Sequence, residues 1–151
     1  MENFLLQREL TISCSRTERG KHMQLGIRLH DIKKAPLEER LAIAKEQGFL
    51  CGHLALSKVI TEYPVDDGAL TPGYAMYLKK IFAKNDLDIA VLGCYLNLAN
   101  PDEGQLAKIT HRYLAHIRFA SLLGVGVVGT ETGAVNEAYK LSLIHISEPT
   151  R

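Results

Sequence analysis

Apolar positions along the chain fall into two patterns that take turns. Short, nearly continuous apolar stretches lie at 25–29, 51–56, 88–94 and 125–129. Their length and alternation predict strands, and the third (DIAVLGC) is apolar enough to be covered on both faces. Between them the apolar residues recur every three or four positions, which predicts amphipathic helices. The first helix starts at Pro36, presents Leu37, Leu41 and Ala44 inward with Glu38, Glu39, Arg40, Lys45 and Glu46 outside, and ends at Gly48 in a left-handed cap. The second follows Thr71, a good N-cap, and Pro72; it presents Ala75, Leu78, Ile81 and Phe82 and stops at Asn85-Asp86. The third runs from about 102 to 123, presents Leu106, Ile109, Tyr113, Ile117 and Ala120, and is capped by Gly124.

Four strands alternating with three helices predict an α/β fold of right-handed βα units around a parallel sheet. Two architectures satisfy the pattern: an open doubly wound sheet, or about half of an eight-stranded barrel. In both, polar residues just past the strand ends line the functional face. Here they are His30 and Asp31, Ser57 and Lys58, Asn97 and Asn100, and Glu131 and Thr132.

Composition narrows the partners. The chain has 151 residues, 46% hydrophobic and 23% charged, the make-up of one globular domain. Its 18 Lys and Arg balance 17 Asp and Glu, which gives no general pull toward nucleic acid or an anionic membrane. No apolar run approaches the roughly 20 residues of a membrane span. Cys14, Cys51 and Cys94 are odd in number and far apart; they form neither a disulfide framework nor a zinc pattern and suit a reducing cytoplasm.

The familiar catalytic signatures are missing. The sequence after the first strand, LHDIKKAP, has no glycine-rich phosphate loop, and no Walker, G-x-S-x-G or H-E-x-x-H pattern occurs. His111 and His116 are five apart on one helix and do not share a face as a zinc pair would; they read as solvated or half-buried helix residues. Cys94 closes an apolar strand with nothing beside it to lower its pKa, so it reads as core. Three strand-end residues are candidates for contact with a ligand: His53, Asn97 and Glu131. Glu131 lies between two threonines directly after an apolar strand. A turn carboxylate bonded to backbone N–H, an Asn that organises its own loop and a hydrogen-bonded sheet histidine are the plain structural alternatives.

Both ends read as foreign to this pattern. LSLIHISEPTR, at 141–151, is similar in every position to the in-frame translation of a transposase-type sequencing adapter. Residues 1–22 lack a clear period, and Arg19-Gly20-Lys21-His22 before Met23 can be encoded as a bacterial ribosome-binding site, which makes 1–22 a mistranslated leader. The expected unit is 23–140.

Within it, QLGIRLHD, CGHLALSK, AVLGCYLNLANPD and HIRFASLLGVGVVGTETG resemble the sugar phosphate isomerase/epimerase family, with its xylose isomerase-like TIM barrel. The most specific piece is CYLNLANPD followed by a long helix ending in A-x-x-L-G. The resemblance spans 23–136 and implies the N-terminal half of that barrel. It implies proton transfer beside the carbonyl of a sugar or sugar phosphate, with a divalent manganese or magnesium ion stabilising the enediolate. The family's metal ligands come from later strands, so no metal ligand or catalytic base is assigned in this chain, which is expected to be inactive. His53, Asn97 and Glu131 match strand-end positions that line the sugar pocket. Self-association through open sheet edges is expected. Two other readings stand beside this one: an abasic-site endonuclease-like barrel, which would show a basic, histidine-rich face, and a non-enzymatic doubly wound binding domain.

Overall fold

The computed structural model describes residues 23–63 and 65–130. The leader at 1–22, the tail at 141–151, Glu131 and Thr132 lie outside the described residues.

The elements follow one another as β1 (Gly26–Arg28), α1 (Leu37–Glu46), β2 (Cys51–Ala55), α2 (Leu56–Val59), α3 (Pro72–Lys84), β3 (Asp88–Gly93), α4 (Glu103–Leu123) and β4 (Val128–Gly129). The fold is α/β, as the alternation requires. The four strands form one parallel sheet in the order β1-β2-β3-β4. Sequence order and spatial order coincide, so the described sheet contains no point at which the strand order reverses.

Local chemistry sets the boundaries. The Thr71 hydroxyl accepts the Tyr74 N–H at 3.2 Å with Pro72 in the first turn of α3. Asp102 accepts the Gln105 N–H at 2.7 Å and opens α4. Gly48 and Gly124 take positive φ, 82° and 75°, where a side chain would be strained. Pro36 takes the N-cap position, one residue before the helix it was expected to begin. β3 falls short of its apolar run only by Cys94, and the other three strands are shortened by a change of backbone. Leu29–Asp31 tightens into a 3₁₀ turn, Leu56 starts the short helix α2, and β4 begins only at Val128. In each case the backbone leaves the sheet while the side chains stay apolar, because Leu29, Leu56 and Val125 are still buried.

One core joins the helices to the sheet: Leu41 and Ala44 of α1, Leu78 and Phe82 of α3, Phe119 and Leu123 of α4, with Leu54 and Leu92 from the strands. Leu37, Leu41, Leu78 and Ile81 are buried as expected. The face expected for α4 needs correction. Leu106, Ile109 and Tyr113 are only partly buried and Ile117 is 44% exposed, while His116, Phe119, Ala120 and Leu123 are buried. Both phases are open to the sequence after Tyr113, and hydrophobicity favours Ile117. The structure takes the phase through His116, because its Nδ1–H donates to the Arg112 carbonyl at 2.9 Å and satisfies its own helix.

Since Leu54 and Leu92 face the helices, alternation turns His53, Ala55 and Gly93 to the opposite face. Pairing also shifts by one residue here: Gly52 faces Ile89 but His53 faces Val91, so Ala90 is extra on β3. Such a bulge re-aims the neighbouring side chains, and it occurs beside His53.

Candidate functional site

The C-terminal ends of β1, β2 and β3 bring three rings together on the helix-free face. His30 comes from the turn after β1, His53 from β2, and Tyr95 from the residues just beyond β3. Ring centroids are 5.6 Å apart for His30–His53, 5.7 Å for His30–Tyr95 and 5.8 Å for His53–Tyr95. Tyr95 Oη stands 3.5 Å from Nε2 of each histidine. That distance is at the outer edge of a direct hydrogen bond. Gly93 makes room for the cluster, because a Cβ there would overlap Nε2 of His53.

Charge surrounds the rings. Arg28 presents Nε at 3.1 Å and Nη2 at 2.7 Å from Nε2 of His30. A guanidinium only donates, so Nε2 of His30 accepts and the ring proton sits on Nδ1. Nδ1 is buried and makes no hydrogen bond among the described residues. Arg28 also pairs with Asp31 at 3.4 Å. Lys58, on α2, lies over the Tyr95 ring with Nζ 3.7 Å from its centroid, a cation–π contact.

Burial and these neighbours together disfavour the protonated form of both imidazoles. Burial pushes His30 below the usual histidine range, and the charge of Arg28 adds to it against the opposing Asp31. Burial lowers His53 as well, followed by repulsion from His30 and Arg28. The two rings therefore differ in role. The lone pair of His30 is occupied by Arg28, whereas Nε2 of His53 faces the tyrosine hydroxyl and is the one able to exchange a proton or hydrogen bond with a ligand.

Of the residues singled out in the sequence, His53 is at the centre of this cluster. Asn97 is intermediate in exposure, and its side chain accepts the Ala99 N–H at 3.1 Å, which shapes its own loop. The Thr130 hydroxyl donates to the Leu96 carbonyl at 3.4 Å, so the end of β4 meets the loop that carries Asn97. His30 and Lys58 were visible as strand-end residues, but their convergence with Tyr95 and Arg28 was not. The available signal was the parallel register, which sets Arg28 opposite His53; His30 lies in the turn beyond β1, where period-two alternation no longer applies.

Other titratable groups remain apart. His111 is 74% exposed and 3.5 Å from Asp67. Cys51 and Cys94 are buried thiols; burial raises both, Cys94 to about 11, which leaves it unreactive. Among the described residues no group of three or more His, Cys, Asp or Glu side chains could hold a metal ion. Nε2 of His30 faces a guanidinium, so the divalent ion implied by the resemblance does not fit the residues described here. No helix among them is long and apolar enough to cross a membrane. No protein-family model and no curated protein matches this chain.

Proposed function

We propose that 23–140 is the N-terminal half of a sugar or sugar phosphate isomerase/epimerase barrel, and that the His30–His53–Tyr95 cluster forms part of its sugar pocket. The observation that carries this reading is the strand order. Four parallel strands adjacent in sequence order, with polar side chains gathered past their C-terminal ends, are what a barrel places around its mouth. A doubly wound sheet binds its ligand where the strand order reverses, and the described strands contain no such point.

In this reading Nε2 of His53 and Oη of Tyr95 hold a sugar hydroxyl between them, and Asn97 adds an amide at the rim. Glu131, outside the described residues, is the further pocket residue that the resemblance implies. Arg28 and Lys58 make the rim positive, which suits a phosphate ester. His30 stays neutral against Arg28 and orients the other two rings. The described residues offer no ligand set for the manganese or magnesium ion that the resemblance implies; an ion held by other strands would supply positive charge beside the substrate carbonyl. Proton abstraction beside a carbonyl needs a placed base as well as that charge, and the described residues hold neither an assigned base nor an ion site, so binding without turnover is what this reading expects of them.

The gathering of two histidines, Arg28 and Lys58 also favours a second reading, an endonuclease-like barrel acting at abasic sites in DNA. One set of titrations separates the two. The chain is titrated with ketopentose and ketohexose phosphates, the free sugars, inorganic phosphate and duplex DNA containing an abasic site. The first reading expects sugar phosphate binding that His53→Ala abolishes, without deuterium uptake from solvent at the carbon beside the carbonyl. Preferential binding of the abasic duplex supports the second reading and contradicts the first, as does failure of every sugar to bind.

A further inference from the structure

Arg40 is out of character for its position. It lies on the core-facing side of α1 with Leu37, Leu41 and Ala44, where an apolar residue would continue the stripe. It is only 3% exposed, and no ion pair holds it among the described residues. Its guanidinium is spent on the backbone: Nε donates to the Ala35 carbonyl at 2.7 Å, and Nη1 donates to those of Leu29 at 2.9 Å and Ile32 at 3.4 Å. A buried charge is costly unless hydrogen bonds replace its water, so the arrangement holds only while these carbonyls stay in place.

The carbonyls belong to one segment. Leu29 and Ile32 bracket His30 and Asp31, and Ala35 closes the loop before α1. After Arg28 this segment leaves the sheet, and the ladder between β1 and β2 ends at Arg28 opposite His53. The His30 ring is thus delivered to the cluster by a turn that no strand pairing fixes. The guanidinium reaches both sides of that turn at once. A planar fork does this in a fixed geometry, whereas an ammonium is a single point on a flexible stem.

We propose that Arg40 is a positioning residue for the strand-end site: by gripping the carbonyls on both sides of the His30–Asp31 turn, it sets where the His30 ring meets Tyr95 and His53. The inference rests on that cluster being the functional site, but its test reads ring geometry and not sugar binding.

The test uses two variants of the full chain. Arg40→Met keeps the apolar stem and removes every donor; Arg40→Lys keeps the charge and removes the fork. Magnetic-resonance cross-peaks between the His30 and Tyr95 rings are measured, with pH titrations of His30 and His116. His116 is buried in α4 and serves as the internal control. The expected result is loss of the His30–Tyr95 cross-peaks in both variants and a His30 midpoint that rises toward the ordinary histidine value, with His116 unmoved. Intact cross-peaks in a folded Arg40→Met protein would overturn the proposal. So would parallel shifts of His30 and His116, which mark general loosening, or failure of both variants to fold, which would assign Arg40 to overall stability. Absence of sugar binding by the unaltered chain would count against the proposed function alone.

Discussion

Gly93 on β3 lies so close to His53 on β2 that a single added methyl group would overlap Nε2 of the imidazole and stand 3.0 Å from Cβ of Ala55. The absence of a side chain at Gly93 is thus a condition for the position of the His53 ring. Gly93→Ala is expected to cost about 1–3 kcal/mol from overpacking and to tilt His53 away from Tyr95. Urea denaturation measures the first effect and the His53 ring resonances the second. A variant as stable as the parent, with unmoved His53 resonances, would show that the ring has slack.

Arg28 makes a separate prediction. Its guanidinium occupies the lone pair of His30 and helps hold the ring neutral. Arg28→Gln should raise the His30 titration midpoint toward the ordinary value and raise that of His53 less, since Arg28 bonds directly to His30 and acts on His53 only through its charge. Histidine-resolved titration checks the order of the two shifts.

Three histidines, His30, His53 and His116, have pKa values below the ordinary 6.5, chiefly through burial. Their folded-state values lie under their unfolded ones, so the unfolded chain takes up protons first as pH falls. Stability should be fully present above about pH 6.5 and be lost as pH drops from there through the folded values. Denaturation midpoints between pH 8 and pH 5, in roughly half-unit steps, test this. Replacing His116 by Gln should flatten the decline, and a decline confined to the carboxylate range would contradict the burial argument.

The strand–helix alternation, the caps at Thr71, Gly48 and Gly124 and the apolar stripes of α1 and α3 were legible because each depends on neighbours within a turn or two, whereas Arg40, expected on the outer side of α1, is 3% exposed. The late phase of α4 was not legible either. It turns on whether the imidazole of His116 can be satisfied by its own helix, which hydrophobicity cannot report. His53 was legible as a strand residue near the functional end. Its partners were not, since Arg28, His30, Lys58 and Tyr95 come from separate elements and meet only through the register of the sheet. The bulge at Ala90 left no mark in an apolar run.

That phase gives a stability prediction. Phe119→Ala should cost about 3–5 kcal/mol as a buried aromatic replaced by a cavity. Ile117→Ala, on the exposed side of the same helix, should stay within about 0.5 kcal/mol of the parent. Equal losses at both positions would contradict the observed phase of α4.

Among the described strands, β1 pairs only with β2 and β4 only with β3, and Val127 is 53% exposed beside β4. Unpaired edges template pairing with another chain. The chain expressed by itself is therefore expected to scatter light as a dimer or larger particle. A monodisperse monomer across a wide concentration range would contradict this.

The rings of His30, His53 and Tyr95 are proposed to line a sugar-binding pocket. The most direct measurement follows the imidazole resonances of the intact chain during titration with a ketose phosphate. Saturable shifts are expected at His53 and His30, larger at His53 because its Nε2 is not occupied by Arg28, with His111 and His116 stationary. Shifts confined to the exposed His111, or none at His53 under saturating sugar phosphate, would contradict it.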